Sequence, residues 1–190
     1  MLVFPPVDED DRYTVLPYFW VPEDTLDLRV RRDHVPYDVW ERRGLLNVTS
    51  GNVVDYAAIE QFILQIADRY QLESVSYDRW NATQLSQNLE GEGITMIQFG
   101  QGYRSMSSPT KELERLILDK KIAFNDNPVL MWNFNNLAVE IDASGNIKPS
   151  KKKATEKIDG CVALIMALDR AIRCGAPTKS VYDTRGLLVI

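Results

Sequence analysis

Two cysteines, Cys161 and Cys174, and one histidine, His34, in 190 residues are too few to build a disulfide framework or a zinc site. Such a chain fits a reducing compartment. Long hydrophobic runs are also missing. The longest, Cys161 to Leu168, is eight residues, against the ~18 a membrane helix needs. The opening Met1-Leu-Val-Phe-Pro-Pro has no basic flank and no long apolar stretch, so it does not read as a signal peptide. No phosphate-loop signature ending in Gly-Lys-Ser or Gly-Lys-Thr occurs, which excludes a P-loop ATPase and leaves no nucleotide site. Excess positive charge is absent too. The net charge is −5, so nucleic acid could be held only by a local basic patch or by metal ions that offset acidic residues. What remains is 45% apolar and 26% charged residues, an ordinary globular composition. This length suits one domain that buries roughly 70% of its unfolded surface.

Along the chain, Leu2-Val-Phe4 reads as a short strand stopped by Pro5-Pro6, and Asp8 to Asp11 as a charged turn. Tyr13 to Val21 reads as the second arm of a hairpin, with Pro17 placing that arm at a sheet edge. Glu23 to Arg43 mixes six acids with five arginines and reads as one or two short surface helices. A helix starts at or just before Asp55 and carries Ile59, Phe62, Ile63, Ile66 and Tyr70 at helical spacing. Leu72 to Tyr77 is a strand, Asn81 to Leu89 a helix and Ile94 to Phe99 a strand. Gly100 to Ser108 then reads as a loop, with Pro109 opening the next helix. Val129 to Val139 reads as extended, followed by a hairpin around Ala143 to Asn146. Lys148 to Lys157 reads as a basic loop and Lys157 to Cys174 as a long apolar helix. Strands alternating with helices, with hairpins mixed in, predict an α/β fold.

Two carboxylates stand out. Asp78 follows a short apolar strand directly, and the C-terminal tip of a strand in an α/β sheet faces the ligand crevice. It reads equally as a turn or cap residue for the next helix. Asp159 lies in the first turn of the most apolar helix, between Ile158 and Cys161. The helix dipole favours a carboxylate there, yet burying one is costly unless it is paired or bound to a cation. A divalent ion shared by the two would remove that cost. Just before Asp159, residues 148–157 hold five lysines and one glutamate, a charge of +4. The run is either a solvated loop or a strip that grips phosphates beside an acidic metal site. His34 has no partner pattern and reads as surface. Gly100-Gln-Gly102 is half of a phosphate loop and weak alone.

Six stretches, in order, resemble the C-terminal nuclease domain of the large terminase subunit of tailed bacteriophages, in its HK97-like branch. They are Tyr18 to Glu23, Val75 to Thr83, Phe99 to Gly102, Ser108 to Arg115, Gly145 to Pro149 and Lys157 to Ala167. The resemblance covers residues 2–174, which it marks as the nuclease domain, with 175–190 as a tail. It implies an RNase H-like mixed sheet flanked by helices, and an endonuclease that cuts concatemeric double-stranded viral DNA with two metal ions, Mg²⁺ or Mn²⁺. By the same resemblance Asp78 and Asp159 are catalytic metal ligands, while Arg79, Lys151, Lys152, Lys153 and Lys157 are candidates for DNA backbone contacts. It further implies the cytoplasm of the bacterial host, the portal and the small terminase subunit as partners of the full-length protein, and no membrane. In the family a first strand, carrying a third acid, precedes the one matching Leu2 to Phe4. That strand and the ATPase motor are expected to be missing here. The alternative reading is a non-catalytic prophage remnant that keeps the fold and binds DNA or a partner without cutting.

Overall fold

The computed structural model describes residues 1–7, 11–78 and 82–175. The chain opens with an antiparallel hairpin, β1 (Leu2–Phe4) and β2 (Tyr13–Leu16), in which Leu2 faces Leu16 and Phe4 faces Thr14. Next come β3 (Trp20–Pro22), two short helices α1 (Leu26–Asp33) and α2 (Tyr37–Arg42), and β4 (Asn47–Thr49), which pairs parallel to β3. The long helix α3 (Tyr56–Arg69) follows. Its N-cap is Asp55, whose carboxylate accepts from the Ala57 amide at 2.8 Å.

Strand β5 (Val75–Tyr77), helix α4 (Thr83–Gly91) and strand β6 (Met96–Gln98) form a β-α-β unit with β5 and β6 parallel. Helix α5 (Tyr103–Leu118) leads to β7 (Ile122–Ala123), which joins β2 in parallel. The chain continues through α6 (Pro128–Asn136), the hairpin β8 (Val139–Ile141) and β9 (Ile147–Pro149), and α7 (Asp159–Cys174). The hairpin turn is built by Asp142, whose carboxylate accepts the amides of Ser144 and Asn146 at 2.9 Å each.

Three elements depart from the sequence expectations. The second hairpin arm is not an edge: β2 lies between β1 and β7, and Pro17 sits just beyond its end. Pro109 does not open α5 but lies inside it, six residues after the start at Tyr103. The amides of Ser105 and Met106 donate to the Gly102 carbonyl, so the first turn closes on the glycine-bounded segment. Pro109 itself is fully buried, and burial of its ring offsets the helical hydrogen bond it cannot make. The stretch Val129 to Asn136 is helical, not extended. Asn127 caps it by accepting from Val129 at 3.1 Å and Leu130 at 3.0 Å, with Pro128 in the first helical turn.

The main core surrounds α7. Ile158, Leu164, Ile165 and Leu168 are nearly or fully inaccessible and pack with Val15, Met106, Leu116 and Leu130, and Cys161 is fully buried on α7. Burial pushes the Cys161 thiol up to about 12. A second cluster pins the charged excursion, expected at the surface, against α6. Tyr37, Trp40 and Trp132 meet at ring separations of 5.7 to 6.0 Å. Aromatic pairs contribute about 0.5–1.5 kcal/mol each. The exposed pair between Arg42 and Asp38 on the same excursion adds about 0–1 kcal/mol. The aromatic trio, not the charge pattern, holds the excursion in place.

Candidate metal and nucleic-acid site

Asp78 follows the last residue of β5. The Phe99 amide donates to the Tyr77 carbonyl at 2.9 Å and ties the ends of β5 and β6 together. This places Gln101, two residues further on, against the strand tip, where its Nε2 donates to Asp78 Oδ2 at 2.8 Å. Sequence alone does not single out Gln101 as a partner of Asp78. The flanking Gly100 and Gly102 are the signal that could have found it, since they leave a turn directly after a strand.

Asp159 opens α7. The residue before it, Ile158, is 1% exposed, and the next, Gly160, is buried. These two anchors turn Asp159 outward, so the expected cost of burying it does not arise. Lys151, in the turn after β9, donates to Asp159 Oδ1 at 2.6 Å. Both side chains are more than 60% exposed. The pair therefore adds little stability, and Lys151 occupies the place of a neutralising cation.

Helix α7 lies against β5. Near its C-terminal end Arg170 donates to Ser74 Oγ, just before β5, at 3.1 Å. The carboxylates of Asp78 and Asp159, with Gln101 and Lys151, line one cavity of about 690 Å³. Both donate hard oxygens, the kind Mg²⁺ and Mn²⁺ accept, and Mg²⁺ is commonly held by one or two carboxylates plus substrate phosphate. The residues present fit such an ion. Among the described residues no group of three His, Cys, Asp or Glu side chains converges.

The other lysines are placed differently. Lys152 and Lys153 are exposed in the turn shared with Lys151, which closes as Lys153 and Ala154 donate to the Ser150 carbonyl. Lys157 is exposed just before α7, and its charge helps hold the Asp33 carboxyl on α1 below the usual range, after the larger effect of Arg32. Lys148 belongs to β9 rather than to the loop. It bridges Glu140 at 2.9 Å and lies over the Tyr103 ring. Arg79 falls outside the described residues. His34 is exposed at the end of α1, as expected.

The sequence profile of the terminase large subunit endonuclease domain matches residues 2–174. The chain is 38% identical over 165 residues to the terminase large subunit of Enterobacteria phage HK97, which covers 86% of this chain and 33% of that protein. It is 36% identical over 167 residues to protein YmfN of Escherichia coli K12, covering 84% of this chain and 36% of that one. The chain thus spans about a third of the length of these relatives. The crystal structure of the HK97 large terminase superposes with a TM-score of 0.80 over 86% of this chain and 35% of that one. No helix among the described residues is long and apolar enough to cross a membrane. The fold is the RNase H-like α/β architecture, and the chain belongs to the terminase large subunit endonuclease-domain family.

Proposed function

We propose that this domain hydrolyses phosphodiester bonds of double-stranded DNA, cutting concatemeric viral DNA during packaging, with Asp78 and Asp159 as ligands of Mg²⁺ or Mn²⁺. The observation that carries this reading is that both carboxylates line one cavity, together with Lys151, which pairs with Asp159. When bound, the metal ion would supply Lewis-acid activation of water and offset charge on the phosphate. The chain's own groups do the rest. Gln101 orients the Asp78 carboxylate, and the amino end of α7 favours negative charge beside Asp159. Lys151 is able to exchange Asp159 for a phosphate oxygen once a cation takes its place. Lys152, Lys153 and Lys157 lie exposed in the stretch just before α7 and would hold backbone phosphates irrespective of base sequence, with Arg79 a further candidate. Acting on viral DNA, the protein would operate in the cytoplasm of the bacterial host, and the whole protein would have the portal and the small terminase subunit as partners.

The test is cleavage of plasmid DNA. Cutting should require Mn²⁺ or Mg²⁺, stop with EDTA and vanish in Asp78→Asn and Asp159→Asn, whose circular dichroism should stay unchanged. Full cutting by either variant would overturn the assignment. A second reading has its own support: among the described residues no group of three His, Cys, Asp or Glu side chains converges. On that reading the chain binds DNA without cutting. Retained DNA affinity with no cleavage in any metal would select it.

A further inference from the structure

Helix α1, with its arginines, lies beside the lysine stretch that leads into α7, and a single face of α6 brings the two together. Trp132 and Asn136 are four residues apart on α6 and so share that face. Trp132 packs on Tyr37, the first residue of α2, at a ring separation of 6.0 Å. Asn136 Oδ1 accepts from the Thr155 hydroxyl, in the lysine stretch, at 2.8 Å. The Tyr37 hydroxyl in turn donates to Asp33, the last residue of α1, at 3.4 Å. The final turn of α1 and residues 155–157 therefore sit side by side. The Asp33 carboxyl responds to both: it is held below the usual range by Arg32 first, then by Tyr37 and by Lys157.

The charges along this strip differ in what covers them. The Asp33 side chain is only 8% exposed and accepts from two nitrogens of Arg32, at 2.6 and 3.1 Å. Its charge is both covered and offset. Arg31, one residue earlier on α1, is exposed and has no ion-pair partner among the described residues. Lys152, Lys153 and Lys157 are exposed as well, and Glu156 is the exposed acid among them. The strip is thus locally positive on a chain whose net charge is −5, which marks a surface for a polyanion. It also reaches the candidate metal site, because Lys157 is two residues from Asp159. That continuity favours a phosphate backbone over an acidic protein. A guanidinium suits phosphate, since its planar fork donates two parallel N–H bonds to two oxygens.

We infer that Arg31 of α1 contacts a backbone phosphate of duplex DNA and extends the grip of Lys152, Lys153 and Lys157 onto the excursion. Arg32 stays on Asp33 and offsets its charge. The inference rests on the proposed DNA reading, which supplies the duplex. The experiment measures binding of the full chain to a fluorescent duplex across a salt series, in EDTA so that nothing is cut. Arg31→Ala should flatten the log–log salt slope by about 0.9, and Arg31→Ala with Lys157→Ala by about 1.8, for any duplex sequence. Arg31→Lys should keep the wild-type slope, because the charge is kept. Melting curves should be unchanged, since Arg31 is exposed and unpaired among the described residues. Arg115→Ala alters the net charge equally but lies on α5, and should leave the slope as it is. Equal flattening by Arg115→Ala would mean bulk charge rather than contact and would overturn the inference. Wild-type binding with an unaffected Arg31→Ala would overturn it alone and leave an acidic protein as the partner that fits α1. A wild-type chain with no affinity for duplex would overturn the DNA reading as well.

Discussion

The backbone amide of Gly160 donates to Oδ1 of Asn133 at 2.9 Å, and the bond joins the start of α7 to the middle of α6. Asn133 is 3% exposed and donates its own Nδ2 to the Val129 carbonyl at 2.8 Å. One buried amide thus satisfies two helices and sets where Asp159 emerges.

Replacing Gly160 should loosen that start. A Cβ built there lies 2.8 Å from Phe19 and 3.0 Å from Asn133 Oδ1, so both must move. Gly160→Ala should cost about 1–3 kcal/mol. Asn133→Ala should cost a similar ~1–3 kcal/mol by leaving the Gly160 amide buried and unpaired. Thermal denaturation reads both; for a chain of this size each kcal/mol lowers Tm by about 2–4 °C. An unchanged Tm in Gly160→Ala would show that the neighbours yield freely.

Gln101 should act on the metal through Asp78 alone. Gln101→Leu removes the 2.8 Å bond to the carboxylate without touching the core. Metal affinity should fall by about 10–100-fold, the usual effect of removing a group that orients a ligand. Calorimetry with Mn²⁺ checks the affinity and a melting curve checks that stability is kept.

Lys151 and its neighbours should separate two effects. In Lys152→Ala with Lys153→Ala, DNA affinity should drop uniformly across sequences, and the log–log salt slope should flatten by about 0.9 for each phosphate no longer neutralised. Lys151→Met should weaken DNA binding too, yet tighten Mn²⁺ binding, because the ammonium that competes for Asp159 is gone. Fold stability should change by less than about 1 kcal/mol, since the pair is exposed. Weaker Mn²⁺ binding in Lys151→Met would argue against that competition.

The two thiols should react very differently. Cys174 is exposed, whereas Cys161 is buried and its thiol is pushed up to about 12. At pH 8 the folded Cys161 therefore stays in the unreactive thiol form. Iodoacetamide followed by mass mapping should label Cys174 quickly and leave Cys161 unmodified until denaturant is added. Early labelling of Cys161 would mean that α7 opens readily.

Local pattern determined the parts of this protein that obey a single rule. The apolar spacing of Ile59, Phe62, Ile63 and Ile66 with Asp55 before it specifies a capped amphipathic helix, which is α3. The run from Cys161 to Leu168 specifies a helix buried on nearly every side, which is α7. The turn of Asp142 to Asn146 specifies the β8–β9 hairpin. Asp78 and Asp159 were legible as candidates because each stands directly beside such an element.

Tertiary structure decided what depends on partners distant in sequence. Val129 to Phe134 carries β-branched and aromatic residues and favours a strand by propensity, but the Asn127 cap and packing of Trp132 on Tyr37 and Trp40 make it a helix. Pro109 marks a helix start locally, yet burial of its ring within α5 outweighs the missing hydrogen bond. Asp159 sits in an apolar sequence but faces outward, because Ile158 and Gly160 are clamped on either side of it. The partnership of Gln101 with Asp78 spans 23 positions and exists only because β5 and β6 lie side by side. Pattern along a chain records what each residue prefers with its neighbours. Which carboxylates, amides and lysines share one cavity follows from how α7 crosses β5, and that crossing is set by the packing of the whole core.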